Sequence, residues 1–151
     1  MSKVPSLFKT TGCGTLLMDE SPGIVGAWEV ITTGAPCSHH MFVFHADGTL
    51  LQFNPPAGNP GSSDTPGVGA WQSMNDDETK ARFVEVRLDP NTAVLTRGVV
   101  DFRIRVTGDR LTGVAVFNIY DMPDGTLIDG PRNSTLEGRR VTVQTDGPDR
   151  S

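Results

Sequence analysis

The stretch from Val99 to Tyr120, VVDFRIRVTGDRLTGVAVFNIY, constrains the fold more than any other part of the chain. Val100, Phe102, Ile104 and Val106 recur at every second position, with Asp101, Arg103 and Arg105 between them. A period of two puts alternate side chains on opposite faces of an extended strand, so this segment has one apolar and one charged face. Gly108-Asp109 supplies a turn, and Leu111, Gly113, Ala115, Phe117 and Ile119 alternate back along a second strand. A hairpin with one apolar face has to bury that face against another sheet or against itself.

The same plan recurs. MFVFHADGTLLQFN joins two apolar runs through Asp47-Gly48, a pair suited to the positive φ angles of a tight hairpin turn. DMPDGTLIDG carries a second such turn at Asp124-Gly125, and STLEGRRVTV reads as a closing strand. Strands are expected near 24–33, 40–45, 49–54, 68–74, 81–88, 99–107, 110–120, 126–129 and 134–143. The only candidate helix precedes Pro22. Short consecutive strands joined by tight turns form a meander, and closing that sheet on itself buries the apolar faces and removes exposed edges. The expectation is an all-β, up-and-down antiparallel β-barrel of about eight or nine strands over 23–145. An arm (1–22) precedes it, a tail (146–151) follows, and an open sandwich is the alternative. Asn54 to Gly67, NPPAGNPGSSDTPG, is too long and too rich in Pro, Gly and Ser for a tight turn. It reads either as a solvated Ω-like loop or as a lid over the barrel mouth.

Composition excludes several classes of partner. The 151 residues, 36% hydrophobic and 21% charged, make one globular domain with a real core. The net charge is −5 and the basic residues are scattered, which argues against a nucleic-acid partner. No apolar run is long enough to span a bilayer, so no membrane partner is expected. The N-terminal residues lack a sustained apolar stretch, which gives a cytoplasmic expectation. Cys13 and Cys37 then read as free thiols, and the NST at Asn133 as a chance match to a glycosylation pattern.

VGAW occurs twice, at Val25–Trp28 and Val68–Trp71, and these copies hold both tryptophans. Glycine before tryptophan lets two backbones approach closely where a barrel narrows, and an indole there can stack under a guanidinium. Gly26–Trp28 opening the first long strand resembles the G-x-W signature of lipocalin and other calycin barrels. Leu136–Val141, LEGRRV, resembles their closing strand, and the middle of the chain is similar to small bacterial lipocalin-like proteins. The resemblance implies a closed barrel whose lumen takes a small apolar ligand, and it supplies no catalytic residue. It pairs Trp28 with Arg139 or Arg140. Trp71 is either a core plug or a platform at the rim.

His39, His40 and His45 lie close together, but they lack zinc-ligand spacing, so no metal is expected. The haem-binding barrels of similar shape carry a glycine-repeat motif and a late histidine that this chain lacks. Serine-nucleophile, P-loop and dinucleotide fingerprints are missing, so no cofactor is expected. Glu85 and Arg87, like Asp101 and Arg103, alternate with apolar residues and read as exterior charge pairs, the alternative being an ion-paired active site in a barrel with a polar lumen. That leaves Tyr120, His40 and Asn118 as candidate catalytic groups able to polarise a carbonyl. Trp71, Phe42, Phe44, Phe53, Phe102 and Phe117 are candidate ligand-binding residues. The functional expectation is a hydrophobic small molecule bound in the lumen by a cofactor-independent cyclase or isomerase of bacterial, polyketide-like metabolism. The alternative is a non-catalytic carrier or sensor. An uncovered strand edge would favour a homodimer.

Overall fold

The computed structural model describes residues 23–35, 37–55 and 63–144. Val99 to Tyr120 forms the expected hairpin: β7 (Leu95–Thr107) and β8 (Arg110–Asp121) meet with Phe102 opposite Ala115 and Ile104 opposite Gly113. Gly108 turns the chain at φ 61°. The remaining strands are β1 (Gly26–Thr33), β2 (His39–Phe44), β3 (Thr49–Phe53), β4 (Ser63–Asp64), β5 (Gly67–Ser73), β6 (Glu78–Leu88) and β9 (Leu127–Arg140). No helix occurs among the described residues. The arm with its candidate helix, Cys13, the tail and residues 56–62 of the Pro-rich stretch lie outside them.

All ladders are antiparallel, and they close. β1 pairs with β2 and β9, β6 pairs with β5 and β7, and the sheet runs β1-β2-β3-β5-β6-β7-β8-β9 and back to β1. The protein is an eight-stranded up-and-down β-barrel, and none of the eight strands keeps an open edge. At this strand number the interior is just wide enough for side chains to fill, or to hold one small ligand.

Three details depart from the sequence expectation. The two closing segments are one long strand, β9, whose register against β8 shifts between Phe117 and Tyr120. Asp64 lies in a strand, β4, inside the stretch expected to be loop. β4 and β5 both pair with β6 but one residue out of step: Asp64 opposes Arg87, whereas Val68 opposes Val84. Finally, Glu85 and Arg87 are not exterior. They share the inward parity of Ala81 and Phe83, and their side chains are 9% and 11% exposed. The exterior reading holds for Asp101, which meets Arg82 at 2.7 Å on the outer surface. At that exposure such a pair is worth no more than about 1 kcal/mol.

One end of the barrel is closed by side chains. Trp28 is fully buried, and its Nε1 donates to the Ile24 carbonyl at 2.9 Å. The Arg140 guanidinium lies over the indole, 4.4 Å from the ring centroid. It also donates to the carbonyls of Gly23, Val25 and Gly108 and bridges to Asp109 at 2.9 Å. Of the two arginines considered, Arg140 is therefore the partner of Trp28. Gly26 sits at φ 132°, a backbone region that favours glycine, and a Cβ there would come within 3.0 Å of this guanidinium. Trp71 is half-buried at the same end, packed against the core, and donates from Nε1 to the His45 carbonyl at 2.8 Å. It is a plug beside the β2–β3 turn. Above this layer Phe42, Phe44, Phe83 and Phe102 fill the middle of the barrel, in stacked, tilted and edge-on contacts with centroids 5.4–6.3 Å apart.

Candidate functional site

The half of the barrel away from Trp28 is not filled. A cavity of about 90 Å³ remains there, floored by Phe42, Phe83, Phe102, Ala115 and Leu136. Its polar wall comes from Thr32, His40, Gln52, Asn54, Asp64, Glu85, Arg87, Arg132 and Ser134. A dry apolar cavity of roughly 150 Å³ takes a benzene in a well-studied case, so this smaller space suits about four heavy atoms of a ligand.

Two polar groupings face it. In the first, Thr32 Oγ1 donates to the Cys37 carbonyl at 2.8 Å, and His40 Nε2 meets the same carbonyl at 3.0 Å. A ring nitrogen facing a carbonyl has to carry the hydrogen, which leaves His40 Nδ1 as an acceptor. Gln52 Nε2 fills that role at 2.7 Å and also donates to Asn54 Oδ1 at 2.9 Å. Burial holds the imidazole below its usual pKa, against the opposing pull of the Cys37 carbonyl. His40 is thus a neutral, fixed tautomer. Gln52 is fully buried, and its Oε1 has no hydrogen-bond partner among the described residues.

The second grouping is ionic. Arg87 Nε stands 3.4 Å from Asp64 Oδ1 and 3.6 Å from Glu85 Oε2, and its guanidinium lies 5.3 Å from the Phe117 ring centroid. Glu85 fits because position 98 is glycine. A Cβ there would stand 2.9 Å from Glu85 Cγ and 3.1 Å from Phe117. Desolvation is the main reason the Glu85 carboxyl is pushed up to about 7; the nearby Asp64 adds to the rise and Arg87 opposes it.

That displacement has a sign for stability. A carboxyl whose pKa is raised on folding binds its proton more tightly in the folded state, so it costs stability as pH rises from 4.5 toward 7. The full cost, reached above pH 7, is about 3 kcal/mol. Glu85→Gln is therefore expected to exceed the parent in stability at pH 8, with the difference shrinking as pH falls to 5. His40 works in the opposite sense below its usual pKa, but it is common to both proteins and cancels. Urea unfolding of the pair across this range measures it, and a difference that does not vary with pH would contradict the assignment.

The sequence candidates divide. His40, Phe42, Phe102 and Phe117 line the cavity together. Phe44 and Trp71 are inward but belong to the filled half. Phe53 is 41% exposed and pairs across the outer face with the exposed Met41. Asn118 and Tyr120 oppose Val99 and Arg97, the outward row of β7, and neither lines the cavity. The two carboxylates, Arg87 and Gln52 were not among the candidates. A signal for Glu85 was present: Ala81, Phe83 and Glu85 share one parity. It was masked because Val84, Val86 and Leu88 form a second apolar row of the opposite parity.

His39 and His45 are exposed, on Ser38 and Thr49. No group of three His, Cys, Asp or Glu able to hold a metal occurs among the described residues. No helix there is long and apolar enough to cross a membrane. Comparisons with protein-family models, curated proteins and solved structures gave no match to this chain.

Proposed function

We propose that the protein binds a small molecule in the open half of the barrel, apolar body on the phenylalanine floor and polar head against the Glu85–Arg87–Asp64 wall. The observation carrying this is the division of the lumen: one half is packed with aromatic side chains, while the other keeps a cavity ringed by buried polar groups. Ligand sites combine mainly apolar walls with a few placed polar groups. The architecture is also consistent with a lipocalin-like barrel, whose lumen would serve this purpose. At about 90 Å³ the cavity suits a small ligand, or the end of a longer one, rather than a folded polyketide-like chain.

Cyclopentanol, a compact ring bearing one polar head, is a suitable probe. Millimolar addition is expected to shift the NMR signals of the Ala115 and Leu136 methyls saturably, and Ala115→Phe, which fills the floor, is expected to abolish the response. Methyl signals that stay still, or that move equally in the variant, would overturn the reading.

One observation favours a second reading, a cofactor-independent isomerase or cyclase. Glu85 can hold or release a proton near neutral pH, as a general acid or base must. Under that reading, incubation with a converted substrate gives a product of unchanged mass, and Glu85→Gln loses the conversion while keeping the binding. A ligand returned unchanged by the wild-type protein leaves the carrier reading.

A further inference from the structure

Resting on the binding reading above, we infer that the ligand's polar head is a protonated amine. Three features of the cavity call for a cation with several N–H donors. Asp64 and Glu85, both nearly buried, present two carboxylates at one wall. Phe42, Phe83 and Phe102 put aromatic rings below them, and ring faces attract cations most strongly where water is excluded. The buried Gln52 Oε1 is an acceptor without a donor among the described residues, and it lies over the bare α-carbon of Gly67, where a Cβ would approach it to 2.9 Å. An ammonium brings three donors and no acceptor, which matches this set.

The charges facing Glu85 agree with a cation. Arg87 on its own strand and Asp64 on β4 flank it, and β9 contributes Arg132, which is paired with Asp129. From β2 comes only His40, held neutral by burial, and the loop before it supplies the Cys37 thiol. Inward positions Gln52 on β3, Gly67 on β5 and Gly98 on β7 carry no charge. With Glu85 ionised, it and Asp64 set two carboxylates around the guanidinium of Arg87, while Arg132 is paired with Asp129. A carboxylate ligand would set a third carboxylate beside Asp64 and Glu85.

The test compares cyclopentylammonium, cyclopentanol and cyclopentanecarboxylate, read by the Ala115 and Leu136 methyl signals and by calorimetry from pH 6 to 8. Cyclopentylammonium is expected to bind tightest at pH 8, to weaken about tenfold by pH 6, and at pH 6 to release close to one proton per molecule bound, counted from buffers of different ionisation heat. Glu85→Gln is expected to remove both the pH dependence and the proton release. Because the release is counted in the wild-type protein, the result does not hang on the variant folding. Tighter binding of the alcohol or the carboxylate would overturn the amine and leave the cavity as a site. Failure of all three to move the methyl signals would overturn the site itself.

Discussion

Trp28→Ala is expected to cost about 4 kcal/mol, a large share of the roughly 5–15 kcal/mol that holds a domain folded. Trp28 is the largest fully buried side chain at the closed end, and its loss leaves more than a void. The Ile24 carbonyl loses its indole donor, and the Arg140 guanidinium loses the ring 4.4 Å beneath it. Arg140 in turn ties Val25 and the Gly108-Asp109 turn to β9, so three segments distant in sequence loosen at once. Arg140→Lys is expected to weaken the same end by a smaller amount, since an ammonium cannot serve those acceptors and cover the ring together. Urea midpoints of the two variants measure this. A Trp28→Ala loss below about 1.5 kcal/mol would mean that the N-terminal end of β1 is not the barrel's base.

Gly69→Ala is expected to be as damaging, for a different reason. A Cβ at position 69 would stand 1.8 Å from the Arg82 carbonyl oxygen and 2.7 Å from Phe83 Cα, both backbone atoms of the paired strand. A side chain in the way can rotate aside, but a ladder strand cannot. β5 and β6 would have to separate, breaking bonds between Val68 and Ser73 and opening the barrel wall, at about 3 kcal/mol or more. Gly125→Ala is the control. Gly125 has a positive φ, 72°, but nothing within 4 Å of its would-be Cβ, so only the backbone penalty of about 1 kcal/mol applies. Thermal midpoints that fall equally for the two variants would remove the close-approach argument. The two VGAW copies thus need glycine on separate grounds, one for a left-handed φ beside Arg140 and one for contact between strands.

Which parts of the molecule were legible in the sequence follows from how consistently each strand keeps one apolar parity. β7 keeps it from Val100 to Val106, with charged residues between, so hairpin, turn and inward row were readable. Trp28 and its arginine were readable because an indole after glycine and a closing-strand arginine have few other uses at a barrel end. β6 hid the site. Its apolar parity switches between Phe83 and Val84, and only the ladder to β7 and β5 decides that Glu85 follows Phe83 inward. In β3 a glutamine faces the lumen while Phe53 faces solvent, the reverse of what hydrophobicity suggests, because Gln52 is needed by His40 and Asn54. β9 looked like two strands because Gly130-Pro131 and the polar residues after it interrupt the pattern. β4 is too short to leave a pattern at all.

The one-residue slip between β4 and β5 has a consequence for how this protein could change by descent. Asp64 and Val68 are four residues apart and in an unbroken strand would face the same way. The slip is what turns Asp64 inward while Val68 stays outward. Losing a single codon between them would leave a spacing of three residues, matching the three from Val84 to Arg87 on β6, so the strand would run unbroken and Asp64 would stay inward opposite Arg87. Glu85 would keep both Arg87 and the second carboxylate beside it. The inward place of Asp64 therefore tolerates a shorter segment, and a lineage could straighten this edge of the barrel without disturbing any group on the lumen wall.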